Sequence, residues 1–195
     1  MTPRLILAST SKYRAELLTR LGVPFEVRAP RVDETIAAAE PARDAAARLA
    51  RAKAEAVDEA DAVVIGSDQV PSLAGRILRK PGDHRAALEQ LEACRGRSVL
   101  FHTAVAVLDR RTGRAWETVD VTEVEFANLG RAALERYLEL ERPYDCAGGF
   151  KAEGLGIALF SAIRSSDPTA LIGLPLISVA AALREAGLDP LAPPG

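Results

Sequence analysis

Short apolar runs and helical periodicities alternate along the first half of the chain. Four-residue apolar runs of the kind that fill buried strands occupy 5–8 and 62–65. The first run leads through the hydroxyl-rich turn 9–11 into a helical pattern, and Gly22 suits the position just after a helix end. The order of these signals predicts a strand, a turn and a helix, with the turn at the helix N-terminus.

Similar signals predict elements for the rest of the chain. The predicted strands are 5–8, 25–28, 62–65, 99–108 and 116–126, and the predicted helices after the first are 41–60, 84–94, 131–140 and 175–187. Strands that alternate with helices, followed by a long central hairpin, predict an α/β fold with a mixed, twisted sheet and flanking helices. No stretch is suited to a linker, so we expect one domain over 1–195.

The composition disfavours several classes of protein. The chain has 195 residues, 48% of them hydrophobic and 27% charged, with a formal net charge of −2. This balance is typical of a globular protein, and it supplies no basic field for nucleic acid or an anionic membrane. No apolar run reaches the ~20 residues of a membrane span, and no secretory signal is evident. We therefore expect a cytoplasmic protein without nucleic-acid or membrane partners.

Cysteine and histidine are too scarce to dominate the chemistry. The chain has two of each, which is too few for a disulfide framework or a His-rich metal site. Cys146 has no evident histidine partner and is interpreted as a small buried apolar residue rather than a nucleophile. It begins the glycine-rich segment 146–156, which is predicted to be irregular but packed, because Phe150 and the apolar run 157–160 accompany it.

The turn from Ser9 to Arg14 is the first candidate for chemistry. A strand that leads into a helix N-terminus presents free backbone N–H groups and the positive end of the helix dipole, which together favour an anion. The Ser9 hydroxyl and the Arg14 guanidinium add donors for phosphate oxygens. The alternative is ordinary helix capping by Ser11 with a surface arginine. A P-loop is disfavoured because the Gly-x-x-x-x-Gly-Lys-[Ser/Thr] pattern is missing.

Acidic residues at two places form the second candidate. Asp33 and Glu34 lie in a loop, and Asp68 stands just after the apolar run 62–65. A carboxylate at the C-terminal end of a strand is well placed for Mg²⁺, and Glu34 and Asp68 could share one ion. The alternative for each is a solvated loop acid. A Ser-His-Asp hydrolase is disfavoured, because Gly66-Ser67-Asp68 lacks the frame of a nucleophile elbow.

Two lysines are candidates for binding phosphate. Lys53 lies in the predicted helix 41–60, and Lys80 lies between Arg79 and Pro81. The chain has only four lysines against 21 arginines, which hints that the lysines remain where a compact charge is needed. The alternative for Lys53 is an exposed, charged helix face.

An ordered series of motifs extends over nearly the whole chain. The motifs are 5–11 with Arg14 and 16–18, 32–34, 48–50 with Lys53, 66–70, 80–81, 147–160 and 171–175. In this order they resemble the Maf family of nucleotide pyrophosphatases. The resemblance implies an α/β fold with two lobes around a central cleft. It also implies hydrolysis of a nucleoside triphosphate to the monophosphate and pyrophosphate, with a divalent cation, Mg²⁺ or Mn²⁺.

The resemblance implies a role for each matching residue. Asp68 is the expected proton acceptor, and Glu34 with Asp68 is expected to hold the metal. The residues expected to bind the substrate phosphates are Ser9, Arg14, Lys53 and Lys80. A triphosphate carries about four negative charges, so cations and N–H donors are needed to hold it and to stabilise the leaving pyrophosphate.

Three further positions indicate which nucleobase is bound. The branch that acts on dTTP and UTP usually has Arg, Thr and Gln where this chain has Tyr13, Gln69 and Glu153. Tyr for Arg and Glu for Gln shift the formal charge by about −2 and add an aromatic face, which favours a cationic base such as N7-methylguanine. The chain is therefore similar to the branch that acts on 7-methyl-GTP, although Tyr13 stands where that branch often has Trp.

Two alternatives remain open from the sequence. One is a dTTP or UTP pyrophosphatase of the same family, and the other is a non-catalytic, nucleotide-binding regulator of septum formation. The full set of acids and lysines favours catalysis, because a protein that only binds nucleotide has no need of Asp68 beside the phosphates. The resemblance also suggests a homodimer.

Overall fold

The computed structural model describes residues 3–192. The strands are β1 (Arg4–Ala8), β2 (Glu26–Arg28), β3 (Ala62–Leu73), β4 (Arg76–Ile77), β5 (Ser98–Asp109), β6 (Arg114–Phe126) and β7 (Phe160–Arg164). The helices are α1 (Lys12–Thr19), α2 (Ala42–Glu55), α3 (His84–Cys94), α4 (Arg131–Glu141) and α5 (Leu176–Glu185), with short 3-10 turns at Leu155–Leu159 and Ala170–Ile172. The ends of the expected domain over 1–195 lie outside the described residues.

The strands form one mixed sheet of seven strands in the order β2-β1-β3-β5-β6-β7, with β4 paired to β3. β1 pairs in parallel with both β2 and β3, whereas every other pairing is antiparallel. Parallel neighbours come from the strand–helix alternation near the N-terminus, and the antiparallel pairs come from the central hairpin. The predicted α/β fold with a mixed sheet is confirmed.

Three apolar clusters divide the molecule around this sheet. On one face, α1 and α5 pack against Val105 and Val107 of β5, while α3 and α4 pack further along the same strand against Val99 and Phe101. On the opposite face, the alanine-rich helix α2 covers the strands. The two clusters on the first face are the cores of two lobes. Between them on β5 lies Thr103, which is fully buried.

Two predicted boundaries are wrong. The strand predicted at 62–65 continues to Leu73, because the polar residues after Gly66 pair with β5 although they break the apolar pattern. The helix predicted over 41–60 ends at Glu55, where the Arg110 guanidinium donates hydrogen bonds to the carbonyls of Ala54, Glu55 and Val57. Arg110 follows the end of β5, 55 residues after Glu55 in the chain, so no local signal reveals this helix end.

The other predicted elements agree with the structure to within a few residues. Asp83 caps α3, and its side chain accepts a hydrogen bond from the N–H of Ala86. Ala74 and Gly75 form the tight hairpin turn between β3 and β4, and both have left-handed backbone angles. The pattern missed β7. Within 3–192, none of the helices combines the length and the apolar character that a bilayer span requires.

Candidate active site

A cleft of about 840 Å³ lies where one edge of β3 has no neighbouring strand. β1 pairs with β3 as far as Gly66, and the β4 hairpin begins where Leu78 N–H donates to Pro71 C=O. Residues 67–70 of β3 therefore pair with β5 along one edge and with no strand along the other edge. Successive side chains of a strand point to opposite faces, so Asp68 lies on the α2 face and Gln69 on the face of the two lobes.

Gly66 brings α2 close to β3. A Cβ at this position would overlap the carbonyl oxygen of Ala50 and lie only 2.5 Å from the backbone nitrogen of Ala54. Only glycine permits this approach, and the small alanines of α2 complete it. Lys53, beside Ala54 on the helix, is thereby carried to the carboxylate of Asp68, which shares the strand face of Gly66.

Lys53 bridges two carboxylates at this end of the cleft. Its Nζ is 2.6 Å from Oδ1 of Asp68 and 2.9 Å from Oε1 of Glu34. The side chains of Lys53 and Asp68 are 6% and 12% exposed, whereas that of Glu34 is 61% exposed. The structure thus brings together three predicted site residues. The exposed-face alternative for Lys53 is wrong, and Asp68 lies inside a strand rather than at its end.

Arg48 holds the loop that carries Glu34. Its guanidinium donates to the carbonyl of Thr35 at 3.0 Å and to both carboxylate oxygens of Glu40, at 2.7 and 2.9 Å. Asp33 accepts from the N–H of Thr35 and is not among the residues that line the cleft. Arg48, which lies five residues before Lys53 on α2, therefore positions Glu34 by holding its loop. Asp33 has a local role in the loop.

The turn between β1 and α1 forms the adjoining wall. The buried Ser9 hydroxyl accepts from the N–H of Ser11, and the Ser11 side chain caps α1, so the capping interpretation of this turn is confirmed. Arg14 Nε donates to the carbonyl of Gly173 at 2.9 Å. Burial lowers the pKa of the Arg14 guanidinium, while the charges of Asp68 and Glu34 act to raise it. An arginine so placed stays charged and points a fixed cation into the cleft.

Gln69 is clamped on the opposite face of β3. Its Nε2 lies 2.9 Å from Oγ1 of Thr103 and 3.0 Å from the carbonyl oxygens of both Ala170 and Leu171. Carbonyl oxygens only accept hydrogen bonds, so the amide nitrogen must face them and Oε1 must point elsewhere. Thr103 itself donates to Ala170 C=O at 3.0 Å. The amide of Gln69, which lines the cleft, is therefore held in a fixed orientation with Oε1 turned away from these carbonyls.

The glycine-rich segment 146–156 lines the cleft on the side of the lobe that contains α3 and α4. Phe150 is buried at the centre of edge-on contacts with Phe101, Phe126 and Phe160, with ring centroids 4.9 to 5.4 Å apart. The backbone reaches this packing through Gly148 and Gly149, which both have left-handed angles. The prediction that this segment is packed is confirmed.

Cys146 shows why this segment supplies no nucleophile. It is half-buried rather than buried and lines the cleft. Burial, and to a smaller extent the charge of Asp145, raise the pKa of its thiol to about 11. The thiol therefore stays protonated at neutral pH, which agrees with the interpretation of Cys146 as an unreactive residue.

The family model described as Maf-like protein matches residues 4–186. The chain belongs to the Maf family. It is 54% identical over 187 residues to the 7-methyl-GTP pyrophosphatase of Cupriavidus metallidurans, an alignment that covers 95% of this chain and 94% of that protein. It is 52% identical over 190 residues to the protein of the same name from Albidiferax ferrireducens, with 96% of each chain covered. The resemblance inferred from the motifs is confirmed.

The Maf cleft gathers every residue to which the family resemblance gave a role. Ser9, Tyr13, Arg14, Glu34, Lys53, Asp68, Gln69, Lys80 and Glu153 all line it. Lys80 and Glu153 are exposed, and Tyr13 is half-buried with the Lys12 ammonium 5.2 Å from its ring centre. Their placement in one cavity is an observation, whereas the role of each remains a prediction.

Sequence reasoning missed three residues that position this Maf site. They are Thr103, which clamps Gln69, Gly173, which anchors Arg14, and Arg48, which holds the Glu34 loop. Gly173 has a backbone angle φ of +125°, and glycine in the motif 171–175 was a usable signal. Thr103 gave no signal, because a threonine within an apolar strand is ordinary.

The acidic residues of this Maf cleft fit a magnesium-like ion. Within 3–192, no group of three or more His, Cys, Asp or Glu side chains is arranged to hold a metal. Glu34 and Asp68 supply oxygen ligands from two sides of one ammonium group, so a cation already has a place between them. Mg²⁺ commonly takes one or two carboxylates and completes its shell with water and substrate phosphates. The donor set is suited to that mode.

Proposed function

We propose that this Maf protein hydrolyses 7-methyl-GTP, and similar modified nucleotides, to the monophosphate and pyrophosphate. The observation that carries the proposal is the Lys53–Asp68–Glu34 cluster, which lies in the same cavity as the other predicted phosphate-binding and base-binding residues. Its relatives named 7-methyl-GTP pyrophosphatase, about half identical over nearly the full length, support the choice of substrate.

The phosphate end of the cleft consists of Ser9, Arg14, Glu34, Lys53, Asp68 and Lys80. The cations Arg14, Lys53 and Lys80 would neutralise the triphosphate and hold it in line for attack. A divalent ion on Glu34 and Asp68, Mg²⁺ or Mn²⁺, would polarise the phosphate oxygens and stabilise the leaving charge. Asp68 would orient a water molecule and accept its proton as the water oxygen bonds to the α-phosphorus and pyrophosphate leaves.

The base end of the cleft consists of Tyr13, Gln69 and Glu153. Tyr13 offers an aromatic face for stacking, and Glu153 offers a negative charge. The fixed Oε1 of Gln69 would accept a hydrogen bond from a base N–H donor. N7-methylguanine is cationic and carries N–H donors, so all three side chains complement it.

The remaining expectations belong to the same proposal. We propose a cytoplasmic house-cleaning enzyme that works as one domain over 1–195 and forms a homodimer. The low net charge of −2 supports a small nucleotide, rather than a nucleic acid, as its partner.

A substrate panel tests the proposal most directly. Pyrophosphate release is measured from 7-methyl-GTP, GTP, dTTP and UTP at equal concentrations, with Mg²⁺ and then with Mn²⁺. The highest kcat/KM is expected for 7-methyl-GTP. A preference for dTTP and UTP would reject the choice of base and leave the chemistry intact. Tight nucleotide binding without turnover at saturating metal would instead favour the non-catalytic regulator.

A further inference from the structure

Lys53 already occupies the place of a cation in the free protein. Its ammonium bonds to Asp68 and Glu34 at the same time, at 2.6 and 2.9 Å. Among the side chains of residues 3–192, no other lysine or arginine makes an ion pair with either of these two acids. The two carboxylates that would serve as metal ligands are therefore neutralised internally by one lysine.

A divalent ion is opposed by this internal cation. An ion bound to both carboxylates would lie within a few ångströms of the Lys53 ammonium, and like charges repel strongly where little water screens them. Lys53 and Asp68 are nearly buried, so screening is weak on their side of the site, although the Glu34 side chain is 61% exposed. The flexible lysine stem lets the ammonium swing away, but only if another anion receives it. The phosphates of a bound nucleotide are such an anion.

We propose that Lys53 couples the binding of metal to the binding of nucleotide. In the free protein it holds Glu34 and Asp68 together and keeps their metal affinity low. When phosphate enters the cleft, Lys53 transfers its contact to phosphate oxygens and releases the carboxylates for the ion. The inference rests on the proposed function in one respect, that the cleft takes phosphates. Metal and phosphate then strengthen each other's binding, as linkage requires.

The test is a titration of the purified protein with Mn²⁺, in which free Mn²⁺ is followed by its electron paramagnetic resonance signal. Lys53→Met is expected to bind Mn²⁺ at least tenfold more tightly than the wild type when no phosphate is present. Added pyrophosphate, corrected for the Mn²⁺ that it chelates without protein, is expected to raise the Mn²⁺ affinity of the wild type. In Lys53→Met this gain should be several-fold smaller.

Lys80→Met is the matched control. Lys80 lines the same cleft but makes no ion pair with a described residue, so its removal changes the cleft charge equally without freeing the acids. Its Mn²⁺ affinity without phosphate should stay within about threefold of the wild type. An equal increase in Mn²⁺ affinity in Lys53→Met and Lys80→Met would mean that only the net charge of the cleft matters, and it would overturn the coupling. Unchanged or weaker Mn²⁺ binding by Lys53→Met would overturn it outright.

Two further variants keep the test decisive. If Lys53→Met fails to fold, Lys53→Gln removes the charge but keeps a polar group beside Asp68, and it should also bind Mn²⁺ more tightly. Adding Glu34→Gln to either Lys53 variant should abolish its increase in Mn²⁺ affinity, because this substitution removes one of the released ligands. Turnover of 7-methyl-GTP by the wild type is scored separately. Normal turnover without coupling rejects this inference alone, and coupling without turnover rejects only the proposed function.

Discussion

The two ends of the cleft are built in different ways. At the phosphate end, Asp68 and Lys53 are nearly buried, come from the middle of a strand and the last turn of a helix, and bond directly to each other. At the base end, Tyr13 and Glu153 come from the first turn of a helix and from an irregular segment, and neither side chain hydrogen-bonds to a residue in 3–192. The fold therefore fixes Asp68 and Lys53 beforehand, whereas at the base end it fixes Gln69 but leaves Tyr13 and Glu153 to be ordered by the bound base.

This contrast predicts that changes at the phosphate end have the largest effects on turnover. Asp68→Asn keeps the shape of the side chain but removes the proton acceptor and a metal ligand. We expect kcat to fall about 10³-fold or more, within the range that general-base catalysis and metal ligation supply together. Steady-state pyrophosphate release at saturating metal measures the loss, and circular dichroism verifies the fold.

Asp61→Asn is the control for that substitution. Asp61 is an exposed acid just before β3, at the far end of the strand from the open edge. It should leave kcat unchanged. A near-normal rate for Asp68→Asn would remove Asp68 from the mechanism.

The fixed phosphate end also depends on close packing of α2. Gly66→Ala places a methyl group against the backbone of Ala50 and Ala54, so the helix must shift. We expect the free energy of unfolding to fall by about 3 kcal/mol, which is typical of overpacking. We also expect lower turnover, because Lys53 moves with the helix. Urea denaturation measures the first effect.

Gly130→Ala is the matched comparison for Gly66→Ala. Gly130 has an ordinary backbone angle φ of −70°, and a Cβ there would meet nothing within 4 Å. The free energy of unfolding of Gly130→Ala should differ from that of the wild type by less than about 0.5 kcal/mol. Equal effects of the two substitutions would contradict the packing argument.

Glu34 is much less buried than Asp68 and Lys53, so the contacts that hold its loop should matter measurably. Arg48→Ala removes the contacts to Thr35 and Glu40 that hold the Glu34 loop. We expect the metal concentration for half-maximal activity to rise about tenfold, equal to about 1.4 kcal/mol. Arg51→Ala removes an arginine from the same helix that pairs with Glu55 and Glu117 instead, and it should change little. The same metal dependence for both variants would refute the positioning role.

The smallest effect is expected at the base end. Glu153→Gln removes one negative charge from an exposed side chain and keeps its size. We expect the ratio of kcat/KM for 7-methyl-GTP over GTP to fall about fivefold, equal to about 1 kcal/mol of charge attraction at a partly solvated site. Glu139→Gln, on the exposed face of α4, serves as the control. An unchanged ratio would reject the charge argument for base selection.

Sequence reasoning succeeded where a local pattern had a physical cause. The strand at 5–8, the helix at 84–94 and the long hairpin follow from apolar runs, helical periodicity and turn residues. Local chemistry made single residues of the cleft candidates, but only the ordered motifs of a family joined them into one site, because no local pattern places Glu34 beside Asp68. The grouping of these motifs in one cavity agrees with that resemblance.

Contacts between distant segments account for the failures. Lys53 had the sequence context of an exposed helix face, yet the close approach permitted by Gly66 buries it. The polar residues at 67–69 masked the continuation of β3, whose pairing with β5 is a long-range contact. The amide orientation of Gln69 depends on carbonyls about 100 residues later in the chain. None of these is encoded within a short window of sequence.

The gap in strand pairing beside β3 is too short to act as a template for edge-to-edge aggregation. Unpaired strand edges are templates for aggregation, and long, flat edges are the most dangerous. Here the unpaired stretch is only four residues long, 67–70, and it is bounded by β1 on one side and by the β4 hairpin on the other. A foreign strand has no room to extend along it, and Pro71 at its border has no N–H to offer. A small molecule can enter where another polypeptide cannot add to the sheet.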